Sequence, residues 1–374
     1  MIYLDNAATT MQKPASVKSA MCRAMSTMAS PGRGSHRPAM QAAELVFLCR
    51  QQVAQLFDVA QPEQVVFTSS ATHAMNIAIR SLVKPGSRVL ISGYEHNAVV
   101  RPLAAIPEVS VQVAKGALFC PDQILKSFWE QMKGRVDAVV CTHVSNVFGY
   151  VLPVSEVAEM CREKGIPLIV DASQSAGCIP ISMQEWGAAF VVMPGHKGLY
   201  GPQGTGLLLC SDLPTVPLME GGTGSESALR SMPEYLPDRL EAGTHNIPGI
   251  AGLMEGLRFV QAKGESNILE HERRLTLYAA RELERIDGVE VFYSPGLKNQ
   301  TGVLSFLLPK MDCEMVAERL GAADIAVRAG LHCAPLAHES AGTMESGTVR
   351  MSLSAFNTLF DVERLVDAVS RISA

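Results

Sequence analysis

The stretch Ile166-Pro-Leu-Ile-Val-Asp171-Ala-Ser-Gln174-Ser and the stretch Ala188-Ala-Phe-Val-Val-Met193-Pro-Gly-His196-Lys197-Gly-Leu-Tyr-Gly-Pro-Gln-Gly204 together decide the fold. Residues 166–170 form an unbroken apolar run that stops at an acid and continues into small polar residues. Residues 188–193 form a second such run, ending in a glycine-rich segment around Lys197. Short runs that are apolar throughout read as strands buried on both faces of a parallel sheet. In such sheets ligands bind beyond the C-terminal strand ends. Asp171 and Lys197 therefore stand at two ligand-binding positions.

Outward from this pair, strands are expected at 64–68, 88–92, 109–113, 137–142 and 206–210. Helical patterns fall at 72–83, 97–105, 121–133 and 154–164, with an earlier helix at 39–57. Strand–helix alternation predicts an α/β fold with a mostly parallel central sheet covered on both faces. After residue 249 the pattern changes to one long helical run at 250–286. Short strands follow near 289–293, 302–308 and 326–329, and helices at 313–320 and 359–372. The expected division is a large domain at 14–254 and a smaller α+β C-terminal domain at 255–374 joined by residues 1–13.

The 374 residues carry 32 Lys+Arg and 37 Asp+Glu, a net charge of −5, and 47% are hydrophobic. That composition supports a large core and excludes a disordered chain. The mild negative charge gives no electrostatic reason for nucleic acid or an acidic membrane surface. No apolar run approaches the ~18 residues of a membrane span. The N-terminal segment has Asp5 and no basic region, so it does not read as a signal peptide. The nine cysteines are widely spaced with no Cys-x-x-Cys. They read as buried thiols of a reducing cytoplasm rather than a disulfide framework or zinc site.

A lysine for a Schiff base and an acid for a pyridinium nitrogen are the pair that pyridoxal 5'-phosphate requires. Asp171 also reads as a helix N-cap and Lys197 as a solvated loop lysine; their pairing at neighbouring strand ends weighs against both. No phosphate loop of the Gly-Lys-Ser/Thr type occurs, and Gly222-Thr-Gly224 does not complete a dinucleotide fingerprint. Ser69-Ser70-Ala71-Thr72, between a strand and a helix, reads as a phosphate cradle or an ordinary helix cap. His96, after the 88–92 strand, reads as a ring that stacks on a flat ligand or as a helix-start histidine. Asn146 reads as an amide donor to a ligand or as a turn residue. Arg328-Ala-Gly-Leu-His332-Cys333-Ala-Pro335 places a cysteine in a loop. Arg328 and His332 beside it would favour a thiolate; a structural loop cysteine is the plainer reading. Arg350 suits a substrate carboxylate or a surface ion pair.

Taken together, the segments resemble the cysteine desulfurase/selenocysteine lyase family of class-V pyridoxal phosphate aminotransferases, fold type I, and within it the SufS-like group. The resemblance rests on Tyr3-Leu-Asp-Asn-Ala-Ala-Thr-Thr10, Glu95-His96-Asn97-Ala98, His143-Val-Ser-Asn146, Val170-Asp171-Ala-Ser-Gln174, Gly195-His196-Lys197, Glu241-Ala-Gly-Thr244, Arg328-x-Gly-x-x-Cys333 and Arg350-x-Ser-x-x-x-x-Asn357-Thr358. It implies pyridoxal 5'-phosphate as cofactor and no metal. Lys197 would be the Schiff-base lysine, Asp171 the partner of the pyridine nitrogen, Gln174 that of the ring hydroxyl, and His96 the stacking ring. Ala71, Thr72 and His196 would hold the phosphate, and Thr244 would reach it from the other subunit of a homodimer. Asn146, Arg350, Arg328 and His36 would bind the substrate, and Cys333 would accept the sulfur before passing it to an acceptor protein. Pro194 departs from a frequent Ser, Ala71 from a frequent Thr, Leu331 from a frequent His and His245 from a frequent Pro. The rivals are a selenocysteine lyase, another class-V aminotransferase or C–S lyase, and a catalytically silent scaffold.

Overall fold

The computed structural model describes residues 1–32 and 34–373. Its strands are β1 (Ile2–Tyr3), β2 (Val65–Thr68), β3 (Arg88–Ser92), β4 (Ser110–Ala114), β5 (Ala138–Thr142), β6 (Leu168–Asp171), β7 (Phe190–Pro194), β8 (Gly206–Cys210), β9 (Glu290–Phe292), β10 (Val303–Leu307), β11 (Ile325–Ala326), β12 (Arg328–Gly330) and β13 (Thr348–Ser352). The helices are α1 (Ala15–Thr27), α2 (Arg37–Leu56), α3 (Ala71–Leu82), α4 (Asn97–Ala104), α5 (Pro121–Gln131), α6 (Val154–Lys164), α7 (Met183–Trp186), α8 (Ile247–Lys263), α9 (Glu265–Glu284), α10 (Cys313–Ala322), α11 (Pro335–Ala341) and α12 (Leu359–Ser373).

The central sheet has the order β2-β8-β7-β6-β5-β3-β4. From β7 through β6, β5 and β3 to β4 every pairing is parallel; β8 runs antiparallel to both β7 and β2. Successive residues of each inner strand go to opposite faces. Val139 and Cys141 of β5 enter one core, Ala138 and Val140 the other. Val191 and Met193 of β7 part from Phe190 and Val192 in the same way. Two apolar faces are why these strands read as unbroken apolar runs. Because β2 and β7 both oppose β8, they run the same way. The ends of β2, β3, β5, β6 and β7 therefore open on one edge of the sheet, where the candidate residues sit.

The second sheet is antiparallel, with the order β12-β13-β10-β9. β1 pairs with β11 in parallel, bringing Ile2 against Ile325. The expected 250–286 helix is two helices, α8 and α9, broken at Gly264, whose φ of +80° a glycine adopts without the clash of a Cβ. The expected 326–329 strand is also two short strands, β11 and β12, in different sheets. Helices α1, α7 and α11 lie where no element was expected.

Candidate active site

Beyond the parallel strand ends lies a cleft with about 110 Å³ of interior space, lined among others by Ala71, Thr72, His96, Asp171, His196 and Lys197. One end is the start of α3. Ser70 caps it: its Oγ accepts from the His73 N–H at 3.1 Å and its carbonyl accepts from the Ala74 N–H at 3.1 Å. Among the described residues the Ala71 and Thr72 N–H groups have no partner. They are free donors at the positive end of a helix dipole, the arrangement that holds a phosphate. His196 flanks this end, its Nδ1 3.0 Å from Thr9 Oγ1. Burial, reinforced by Lys197 and Lys13, lowers its pKa to about 4, so it is neutral at pH 7 and acts as a hydrogen-bonding group, not a cation.

At the other end Asp171 closes β6, 5% exposed, with Oδ1 accepting from the Ser173 N–H at 2.9 Å. A run of turns follows it, not a helix, so the N-cap reading does not hold. Gln174 lines the cleft and donates from Nε2 to Ala7 O at 3.0 Å. His96 caps α4, its Nδ1 accepting from the Ala98 N–H at 3.0 Å, which leaves the proton of the neutral ring on Nε2. Burial pushes its pKa down, against the pull of Asp171. Beneath it the wholly buried Glu95 accepts from Ser92 Oγ at 2.6 Å and from the Thr142 N–H at 2.7 Å. Burial raises its pKa to about 8.

Lys197 follows β7 through Gly195 and His196. Its amine makes no ion pair among the described residues, and burial lowers its pKa to about 8 although Asp171 pulls the other way. It is not a solvated loop lysine. An amine that deprotonates this readily is a nucleophile and a base near neutral pH.

The candidate substrate residues are brought together beside the cleft. Asn146 donates from Nδ2 to His332 O at 2.8 Å, and its carbonyl accepts from Arg350 Nη1 at 2.8 Å. Arg350 is 2% exposed, so the surface ion-pair reading does not hold. Its Nη2 donates to Asp5 Oδ1 at 2.8 Å, while the buried Nε has no partner among the described residues. Arg328 is half exposed and donates from Nη2 to the other Asp5 oxygen at 2.8 Å. Asp5, quoted in the N-terminal motif but given no role, thus holds both arginines. No local pattern could have revealed that pairing, because 323 residues separate Asp5 from Arg328.

Cys333 is exposed in the turn between β12 and α11. Its carbonyl accepts from the Asn97 N–H at 2.8 Å, which fastens the turn to the residue after His96. Both His332 and Cys333 are in left-handed backbone, with φ of +49° and +57°, a conformation that disfavours non-glycine residues and concentrates at functional loops. The expectation that His332 charges the surroundings of the thiol is corrected. His332 is buried with Nε2 3.1 Å from Thr348 O, and burial with Arg350 and His338 lowers its pKa to about 2. Arg328 is the cation near this cysteine.

Two candidates lie elsewhere. His36 caps α2, accepting from the Ala39 N–H at 3.4 Å, and is not among the cleft residues. Thr244 is exposed and lines a separate cleft with Ser69, His73, Glu241 and His245. Its loop is anchored by the buried Glu241, which pairs with both arms of Arg50 and accepts from the Phe67 N–H at 2.6 Å and from His245 Nε2 at 2.6 Å.

The family described as aminotransferase class-V matches residues 2–365. The chain is 33% identical to a probable cysteine desulfurase of Methanothermobacter thermautotrophicus, over all of this chain and 94% of that protein. It is 34% identical to a probable cysteine desulfurase of Mycolicibacterium paratuberculosis, but it spans only 55% of that protein's length. The solved apo structure of a cysteine desulfurase from Thermococcus onnurineus superposes with a TM-score of 0.91 at 28% identity, over 100% of this chain and 94% of that one.

Proposed function

The chain belongs to the class-V aminotransferase family, and from that membership we propose that it is a cysteine desulfurase. In this reading it converts L-cysteine to L-alanine and keeps the sulfur as a persulfide on Cys333. The family uses pyridoxal 5'-phosphate and acts on small amino-acid substrates. The cleft fits that cofactor: free N–H groups at one end, an acid at the other, and between them a lysine whose pKa burial lowers to about 8.

In this reading the α3 N–H groups, Thr72 and His196 hold the phosphate. Asp171 would keep a proton on the pyridine nitrogen, Gln174 would hold the ring hydroxyl, and the neutral His96 would stack on the ring. When bound, the cofactor supplies an electron sink for charge at the substrate Cα. Asn146 and Arg350 fix the substrate carboxylate, flanked by Arg328. Lys197 takes the Cα proton as a free amine and returns it. The Cys333 thiolate attacks the substrate sulfur, forming the S–S bond as the substrate C–S bond breaks; the pair of electrons of that bond stays with the β-carbon, which takes a proton from solvent to become the alanine methyl. Thr244, exposed and not in the lining of its own cleft, serves the phosphate of a second copy in this reading, which makes the enzyme a homodimer with shared sites. Residues 14–254 make the cofactor-binding unit and 255–374 with 1–13 the smaller one. An exposed Cys333 suits transfer of its sulfur to an acceptor protein. No helix among the described residues is long and apolar enough to cross a membrane, and the enzyme is read as cytoplasmic.

The observation that carries this proposal is the tie between the cysteine turn and the cleft: Cys333 O on the Asn97 N–H and His332 O on Asn146 Nδ2, both at 2.8 Å. The test is incubation with cysteine, assaying alanine, pyruvate and sulfide separately and locating added sulfur by peptide mass. Alanine with one extra sulfur on Cys333, and no alanine from Cys333→Ala with its cofactor colour intact, is the expected result. Full alanine production by Cys333→Ala, or pyruvate as the product, would overturn it.

A further inference from the structure

Lys197 has a second cavity on its other side. Lys197, Ser173 and Gln174 line both spaces and form the wall between them. The second cavity is small, about 40 Å³, and its far side carries Glu272 of α9 with Ser354 and Thr301. A water needs roughly 10–15 Å³ by this kind of measure and a few polar partners, so the space suits two or three waters.

Glu272 is 7% exposed, and its carboxyl makes no hydrogen bond or ion pair with any described residue. Such a group stays protonated in preference to burying an unpaired charge. The backbone gives it room: a Cβ on Gly302 would stand 2.6 Å from Glu272 Oε2. Among the side chains that line this cavity, Lys197 is the basic one. Tyr200, and Cys178 with its thiol pushed well up by burial, are weak acids that stay neutral. Glu265, at the start of α9, is itself raised to about 7 by burial. On the same helix Arg273 donates to Gln300 O at 2.6 Å, and His271 is 2.9 Å from Asn357 O.

We propose that Glu272 is the proton store of Lys197, exchanging a proton with its amine through the water of this cavity. After Lys197 has taken the Cα proton, one N–H bond of its ammonium breaks and the bridging water carries that proton to the carbonyl oxygen of the neutral Glu272 carboxyl, while the Glu272 O–H proton returns to the amine. Each bridging water accepts one proton and gives one, so an ammonium and a neutral carboxyl result again and only the identity of the proton changes. Burial brings the two groups to the same place on the pH scale, each to about 8, so the transfer is nearly balanced in either direction. Glu272 acts through Lys197 and does not touch the substrate; the proposal rests on Lys197 being the base of the reaction above.

The experiment follows a deuterium from the Cα of cysteine into alanine in ordinary water. In the wild type Lys197 sheds the deuteron to its store during turnover, and alanine retains little. In Glu272→Gln the exchange slows and retention rises roughly threefold or more, with Glu272→Asp in between. Equal retention in wild type and Glu272→Gln, with alanine formed by both, overturns the relay. Failure of the wild type to make alanine instead defeats the desulfurase reading. A second measurement then decides on Glu272 without turnover. The infrared difference between wild type and Glu272→Gln at pH 7 should contain the band of a protonated carboxyl that fades above about pH 8. Glu95, neutral in both proteins, cancels. Absence of that band at pH 7 means an ionised Glu272 and overturns the store.

Discussion

Replacing Lys197 by methionine should stabilise the protein when both forms are stripped of cofactor, and only in the pH range where the lysine is a buried cation. Burial moves the amine from 10.5 to about 8. The functional gain is large: at pH 7.5 roughly a quarter of such an amine is free, against about one in a thousand for an ordinary lysine. The same shift is a penalty on folding. Between pH 8 and 10.5 the unfolded chain holds the lysine proton and the folded chain does not, so wild-type stability rises with pH there. Below pH 8 both states are protonated, and the folded state carries the whole cost of the buried charge, about 3 kcal/mol at 1.36 kcal/mol per pH unit. Lys197→Met removes that cost. Methionine also adds apolar burial, but that gain does not depend on pH. The diagnostic is therefore the change in the stability gap with pH. Urea unfolding at pH 7 should find the variant more stable by about 3 kcal/mol plus the apolar gain, and at pH 9.5 the gap should be smaller by about 2 kcal/mol. A gap that is the same at the two pH values would refute the idea that burial of charge depresses this lysine.

Three further outcomes follow from the geometry. Glu241→Gln leaves the buried Arg50 without its carboxylate and should lower stability by about 3–5 kcal/mol in urea unfolding; a loss under 1 kcal/mol would show that the cluster is not what holds the Thr244 loop. Gly177→Ala sets a Cβ 2.1 Å from Gly198 O at a φ of +89°, so the segment after Lys197 must shift, and cofactor retained after dialysis should fall; unchanged retention would mean the turn absorbs the methyl. Arg350→Lys keeps the charge but cannot reach Asp5 and Asn146 O together; KM for cysteine should rise about tenfold or more while cofactor absorbance is unaltered, and an unchanged KM would remove Arg350 from substrate binding.

The sheet was legible because its strands are buried on both faces and so are apolar throughout: the expected 88–92 and 206–210 match β3 and β8 to the residue. The order β2-β8-β7 was not legible, since nothing in the β8 sequence says it runs against its neighbours. Where the reading slipped, a single backbone torsion decided the matter. Gly264 splits a periodic helical run because its φ of +80° turns the chain, while the apolar spacing carries on across the break. The cleft residues announced themselves by type and position at strand ends. The state of each did not, because burial sets it: His332 beside the candidate cysteine is held neutral by its surroundings, not by its neighbours in sequence.

Asp5 shows what such a reading cannot reach. Arg328 of β12 and Arg350 of β13 are direct cross-strand partners. Two like charges opposite one another destabilise a strand pair, and Arg350 is buried as well. Placing them together requires an anion between them, and none is available on either strand. The N-terminal segment supplies it: β1 pairs beside β11, the strand next before β12, and carries the chain to Asp5, whose two oxygens take Arg350 and Arg328 at 2.8 Å each. The carboxylate takes up one of Arg350's N–H groups and anchors the half-exposed Arg328, so the pair keeps one net positive charge instead of two. Removing the first five residues would therefore do more than fray an end. It would set two unscreened guanidinium groups against each other at the edge of the cleft, and the β12–β13 pairing that positions the cysteine turn would weaken with them.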